Sequence, residues 1–68
     1  MIIMDLKKIG RMLQKCALPA KPKPDAVLRH CVRMQLIVRQ KGSWRNGCYV
    51  TTQLGHEILL RIAYDLLN

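Results

Sequence analysis

Three prolines within six residues, in the stretch LPAKPKP at 18–24, constrain this 68-residue chain more than any other feature. A proline ring removes a backbone donor and collides with the carbonyl four residues earlier, so no helix runs through. The stretch reads as an extended, polyproline-like linker. The segment before it must be a separate short helix, and the segment after it must start a new element. Lys21 and Lys23 alternate with the prolines, making the linker either a solvated connection or a basic arm laid against phosphate.

Ahead of it, Leu6, Ile9, Leu13 and Cys16 recur at spacings of three and four, which predicts an amphipathic helix over 5–17. Asp5 suits its N-cap, Lys7, Lys8, Arg11 and Lys15 fall mostly on the other face, and Gly10 weakens it. A second helix is predicted over 25–35, beginning at Pro24 or Asp25, where a ring and a carboxylate both favour a helix start. Val27, Leu28, Cys31 and Val32 form its inner stripe, and Arg29, His30 and Arg33 share the outer arc. The period then changes. LIVRQ at 36–40 and CYVTT at 48–52 are β-branched runs, and Asn46-Gly47 between them is a strong tight-turn signal. Residues 36–52 therefore read as a hairpin whose tip carries Lys41, Trp44 and Arg45.

A third helix is predicted over 53–67 with Thr52 as N-cap. Its apolar stripe, from Leu54 through Ile58, Leu59, Ile62, Ala63 and Leu66, is wider than one small domain needs. Leu59, Leu60, Ala63, Leu66 and Leu67 are accordingly the candidate interface of a homodimer. With one Trp, two Tyr and no Phe, the core must come from Leu, Ile, Val, Met and Cys, and dimerisation is a common remedy for so small a core.

Charge points to the partner. The chain carries +8, with +9 on residues 1–47 and −1 on 48–68, so a basic working face is separated from a near-neutral assembly element. Charge alone leaves DNA, RNA, an anionic membrane and an acidic protein open.

Helix, linker, helix, strand, turn, strand, helix is the order of a small winged helix, an α+β fold of order α-α-β-β-α with a two-stranded wing. The pattern Y-x-x-T-x-x-G-x-x-x-L, at Tyr49, Thr52, Gly55 and Leu59, resembles the second wing strand and following helix of winged helix-turn-helix regulators of the MarR and PadR kind. LRHCVRMQLIVRQ at 28–40 looks like their recognition helix running into the first wing strand. The usual glycine before that strand is absent, with Gln35 nearest its place. One helix also precedes the linker where these families have more. Either LPAKPKP stands where the middle helix lies, or 5–17 is that helix and the first is missing.

The resemblance implies sequence-specific binding of double-stranded DNA by a small transcriptional regulator of prokaryotic or phage type. Physics independent of it agrees. A helix presenting Arg29, His30 and Arg33 fits a major groove, where arginine pairs bidentately with guanine. Lys21, Lys23, Lys41 and Arg45 would neutralise phosphates, and Trp44 between two cations suggests a contact. The alternative is a protein-interaction module, a phage- or plasmid-type factor that modulates a larger host protein. RNA binding comes third, because few aromatics are available for stacking.

An enzyme is not expected: four carboxylates are scattered, and His30 and His56 lack an evident nucleophile partner. Cys48 with His56 could be drawn as a thiolate pair, and His30, Cys31, Cys48 and His56 as a zinc site. The latter lacks paired-ligand spacing, so no metal and no cofactor are expected. Cys16, Cys31 and Cys48, odd in number and set in apolar contexts, read as buried thiols of a reducing cytoplasm. MIIMDL is too short for a secretory apolar region and no run spans a bilayer, so neither a leader nor a membrane partner is expected.

Overall fold

In the structure, a computed structural model describing residues 5–40 and 47–67, the first helix, α1, runs Leu6–Lys15. Asp5 caps it, its carboxylate accepting from the Lys7 amide at 2.9 Å. Ile9, Met12 and Leu13 are buried along one face, with Cys16 just beyond, whereas Leu6 is half exposed and stays outside the core. The helix stops because Pro19 has no N–H to offer the Lys15 carbonyl.

The linker is more than a spacer. The Ala20 amide donates to the Tyr49 carbonyl at 3.0 Å, and the Tyr49 amide donates back to the Ala20 carbonyl at 2.8 Å. One residue thus forms an antiparallel bridge to the wing. Pro22 is buried beside it, while Lys21 and Lys23 remain exposed. The prolines permit this because the single amide needed belongs to Ala20.

The second helix, α2, is Ala26–Arg33, shorter than the expected 25–35. Asp25 is its N-cap, its carboxylate accepting from the Leu28 amide at 2.9 Å, and Pro24 lies outside. At the far end Gln35 takes φ 61°, the left-handed conformation of a helix-terminating glycine. The Gln35 amide donates to the Val32 carbonyl at 3.0 Å and the Leu36 amide to the Cys31 carbonyl at 2.9 Å. This is a Schellman closure with glutamine in the glycine position. Leu28 and Cys31 are buried, while Val32 is 40% exposed and only flanks the core.

Strands β1 (Ile37–Arg39) and β2 (Tyr49–Thr51) pair antiparallel, with Ile37 opposite Thr51, Val38 opposite Val50 and Arg39 opposite Tyr49. The Gln40 amide, donating to the Cys48 carbonyl at 2.8 Å, carries the pairing one step further. Gly47 adopts φ 85°, as the expected turn requires. Helix α3 is Gln53–Leu67. The order α-α-β-β-α, with three helices and a two-stranded sheet, is the expected small winged-helix layout.

Thr51 and Thr52 hold these parts together. The buried Thr51 hydroxyl donates to the Leu13 carbonyl at 2.6 Å and its amide to the Cys16 carbonyl at 2.8 Å, so β2 satisfies the end of α1. The Thr52 hydroxyl accepts from the Gly55 amide at 3.0 Å and donates to the Gln35 carbonyl at 2.7 Å. It therefore caps α3 and fastens it to the end of α2 in one group. A Cβ on Gly55 would run into the Leu36 carbonyl oxygen and stand 2.6 Å from the Thr51 methyl. Glycine is required there because backbone meets backbone. The core lies between α1, α2, β1 and α3, built from Ile9, Met12, Leu13, Cys16, Leu28, Cys31, Leu36, Ile37 and Ile62.

Candidate nucleic-acid interface

The exposed face of α2 is set by its length and by which residues the core takes. With Leu28 and Cys31 inward, the residues one turn apart on the opposite side are Arg29 and Arg33, both exposed. His30 of the expected outer arc is partly buried, so the fully exposed members of that arc are the two arginines. The Arg29 guanidinium folds back along the helix and donates to the Pro24 carbonyl at 3.3 Å.

Beside that pair lies a cleft of about 350 Å³, lined by Pro24, Leu28, Arg29, Val32, Arg33 and Tyr49. Tyr49 is held by its backbone on both sides, bridged to Ala20 and paired across from Arg39, and its side chain packs against the core. On the other flank of α2 a second groove, about 460 Å³, runs between α1 and the start of α2. Lys8, Arg11 and Lys15 line it, at helical spacings that put them on one side of α1. The cations of the first cleft are thus Arg29 and Arg33 themselves, while the second groove carries Lys8, Arg11 and Lys15 together with Asp25.

Both carboxylates of the basic region, Asp5 and Asp25, are engaged as N-caps. The ion pair formed among the described residues is Arg61 with Asp65, at 3.4 Å on the outer side of α3, away from this face. Among the described residues neither Asp5 nor Asp25 forms a salt bridge with these cations, although Asp25 lines the same groove as Lys8, Arg11 and Lys15.

Of the other expected contact residues, Lys21 and Lys23 are exposed on the bridged linker, near the Pro24 end of the cleft. Lys41, Trp44 and Arg45 lie outside the described residues. Two participants are not evident as site residues from sequence, Lys15 and Tyr49. Lys15 has the right helical spacing from Arg11 but points to α2 only once the fold is known. Tyr49 joins Arg29 and Arg33 through strand register, which no local pattern encodes.

The expected dimer face divides. Leu60 is 71% exposed and Leu66 is 54% exposed, whereas Leu59 is partly buried against the core. Leu59, Ala63 and Leu66 line a groove with Lys7, Gly10 and Gln14 of α1, so Leu59 serves helix packing before any partner. The side chain of Leu67 lies outside the described part.

The three cysteines are buried free thiols. Burial pushes the Cys31 thiol up, with Cys16 and Asp25 adding to it. Burial also raises Cys16, against the opposing pull of Lys15. Both stay protonated at neutral pH and are poor nucleophiles. Among the described residues no group of three or more His, Cys, Asp or Glu could hold a metal ion, and no helix is long and apolar enough to cross a membrane. No protein-family model matches the chain, and no curated protein or solved structure is significantly similar to it.

Proposed function

We propose that the chain binds double-stranded DNA sequence-specifically, with α2 as the reading helix, as a small dimeric transcriptional regulator. One observation supports this reading: an exposed Arg29–Arg33 ridge on α2, with Lys8, Arg11 and Lys15 lining the groove at the start of that helix and Asp25 engaged as its cap. Arginines one turn apart can address guanine edges in one groove, while Lys8, Arg11 and Lys15 on one flank and Lys21 and Lys23 on the other engage the two phosphate backbones. Dimerisation would use the broad exposed face of α3 that spans Leu60, Ala63 and Leu66, in the near-neutral part of the chain, and keep the basic faces apart.

Gel-shift titration of a duplex library across a salt series tests this. With about six phosphate contacts, log affinity should fall with log salt at a slope near −5. Millimolar affinity at low salt, or a flat salt response, would sink the reading. Sedimentation at rising concentration tests the dimer, and a persistent monomer refutes it.

A second reading, a protein-interaction module, is favoured by a different groove. About 680 Å³ in volume, it is lined by Val32, Gln35, Ile37, Val38, Arg39, Thr52 and Leu54. Val32, Val38 and Leu54 there are each at least 40% exposed, which is the kind of apolar surface partners cover.

A further inference from the structure

We propose that the cleft between α2 and β2 binds a nucleoside 5′-phosphate, with the base against Tyr49 and the phosphate between Arg29 and Arg33. The cleft combines the two chemistries such a ligand needs. Its lining is mostly apolar, from Pro24, Leu28 and Val32, with Tyr49, partly buried against the core, as the aromatic residue. Its rim carries two guanidiniums one helical turn apart and no carboxylate. A guanidinium has five N–H donors in a planar fork suited to phosphate oxygens, and the single bond from Arg29 to Pro24 leaves most of them free. That bond also holds Arg29 along the rim instead of letting it extend into solvent.

Size and shape narrow the ligand. At about 350 Å³ the cleft is at the small end of ligand sites and admits one nucleotide. A base stacked inside a duplex cannot enter it, so the ligand is a free nucleotide or the unpaired 5′ end of a strand. The apolar lining argues against a bare anion, because inorganic phosphate would make no use of the exposed Val32 or of Tyr49. The residue is anchored in advance: the Tyr49 backbone is bonded to Ala20 as well as standing in the wing, and its side chain packs against the core. Base–aromatic stacking then costs little ordering.

A regulatory consequence rests on the DNA reading above. A nucleotide in the cleft occupies Arg29 and Arg33, the same side chains that would address the duplex, so the two ligands compete.

Amide NMR titrations of the full chain with AMP, GMP, CMP and UMP in turn, beside adenosine and inorganic phosphate, test the site. At least one nucleotide should saturate in the millimolar range or below and shift Leu28, Arg29, Val32, Arg33 and Tyr49. The nucleoside and the phosphate alone should each bind about tenfold more weakly, and Arg33→Ala should weaken the nucleotide about tenfold with an unchanged melting temperature. A short single strand with and without a 5′-phosphate separates a strand end from a free nucleotide. Equal response to inorganic phosphate, shifts centred on Lys8, Arg11 and Lys15, or no saturable shift with any nucleotide overturns the proposal. Adding the nucleotide to the duplex gel shift keeps the two ideas apart. Duplex binding without nucleotide binding removes the cleft alone, and nucleotide binding without duplex binding removes the DNA reading alone.

Discussion

The joint around Thr51, Thr52 and Gly55 and the ridge around Arg29 and Arg33 are built on opposite terms. The joint is backbone against backbone: Gly55 touches the Leu36 carbonyl, and two hydroxyls donate to carbonyls of α1 and of the residue just past α2. The ridge is side chain against solvent, with one long bond from Arg29 to a carbonyl outside its helix. The two therefore differ in how much change they tolerate. A close backbone contact has no rotamer to give, so a methyl group there must move a helix. An exposed guanidinium can be removed with little consequence for the fold.

Substitutions at the joint should be felt first in stability. Gly55→Ala drives a methyl into the Leu36 carbonyl and is expected to cost about 3 kcal/mol, read by urea unfolding. A loss below about 1 kcal/mol would mean that α3 slides freely on the wing. Thr51→Val keeps the shape but leaves the Leu13 carbonyl without its hydroxyl partner in a buried site, for about 2 kcal/mol in the same measurement. Gln35→Gly should work the other way. Glycine adopts φ 61° without a Cβ penalty, so the variant gains about 1 kcal/mol, visible as a raised midpoint. Gly10→Ala sets the two helical glycines apart: its Cβ would lie 3.4 Å from the Ile62 methyl, an ordinary contact, so the helix gains about 0.5–1 kcal/mol. At the ridge, Arg29→Ala with Arg33→Ala should change stability by less than about 0.5 kcal/mol. Under the proposed function the same double variant loses sequence preference in a gel shift. Retained preference would move the reading elsewhere.

How much of this is legible in the sequence depends on how far apart the interacting residues lie. Asp5 as a cap, Thr52 as a cap and the hairpin between LIVRQ and CYVTT rest on neighbours within a few positions, and side-chain type alone encodes them. Gly55 is legible as a position needing close approach, although not as one pressed against Leu36. The early end of α2 is not. A left-handed glutamine is an unusual choice, and it holds because the Schellman bonds and the Thr52 hydroxyl fix the carbonyls around it. The Ala20 bridge is hidden because a single paired residue has no alternation to detect, and the prolines around it advertise a linker. For the site, exposed arginines can be read from helical spacing, but their grouping with Tyr49 depends on strand register, and the narrowing that excludes His30 depends on where α2 meets the core.

The bond from Thr51 to Leu13 joins groups 38 residues apart. On the ribosome, where chains lengthen by roughly 5–20 residues per second, α1 would be made several seconds before the hydroxyl that completes its last turn. Through that interval its apolar face, with Ile9, Met12 and Leu13, gains Leu28 and Cys31 of α2 as partners but not yet Ile62 of α3. The first helix is thus covered in stages during synthesis, and α3 completes what α2 begins.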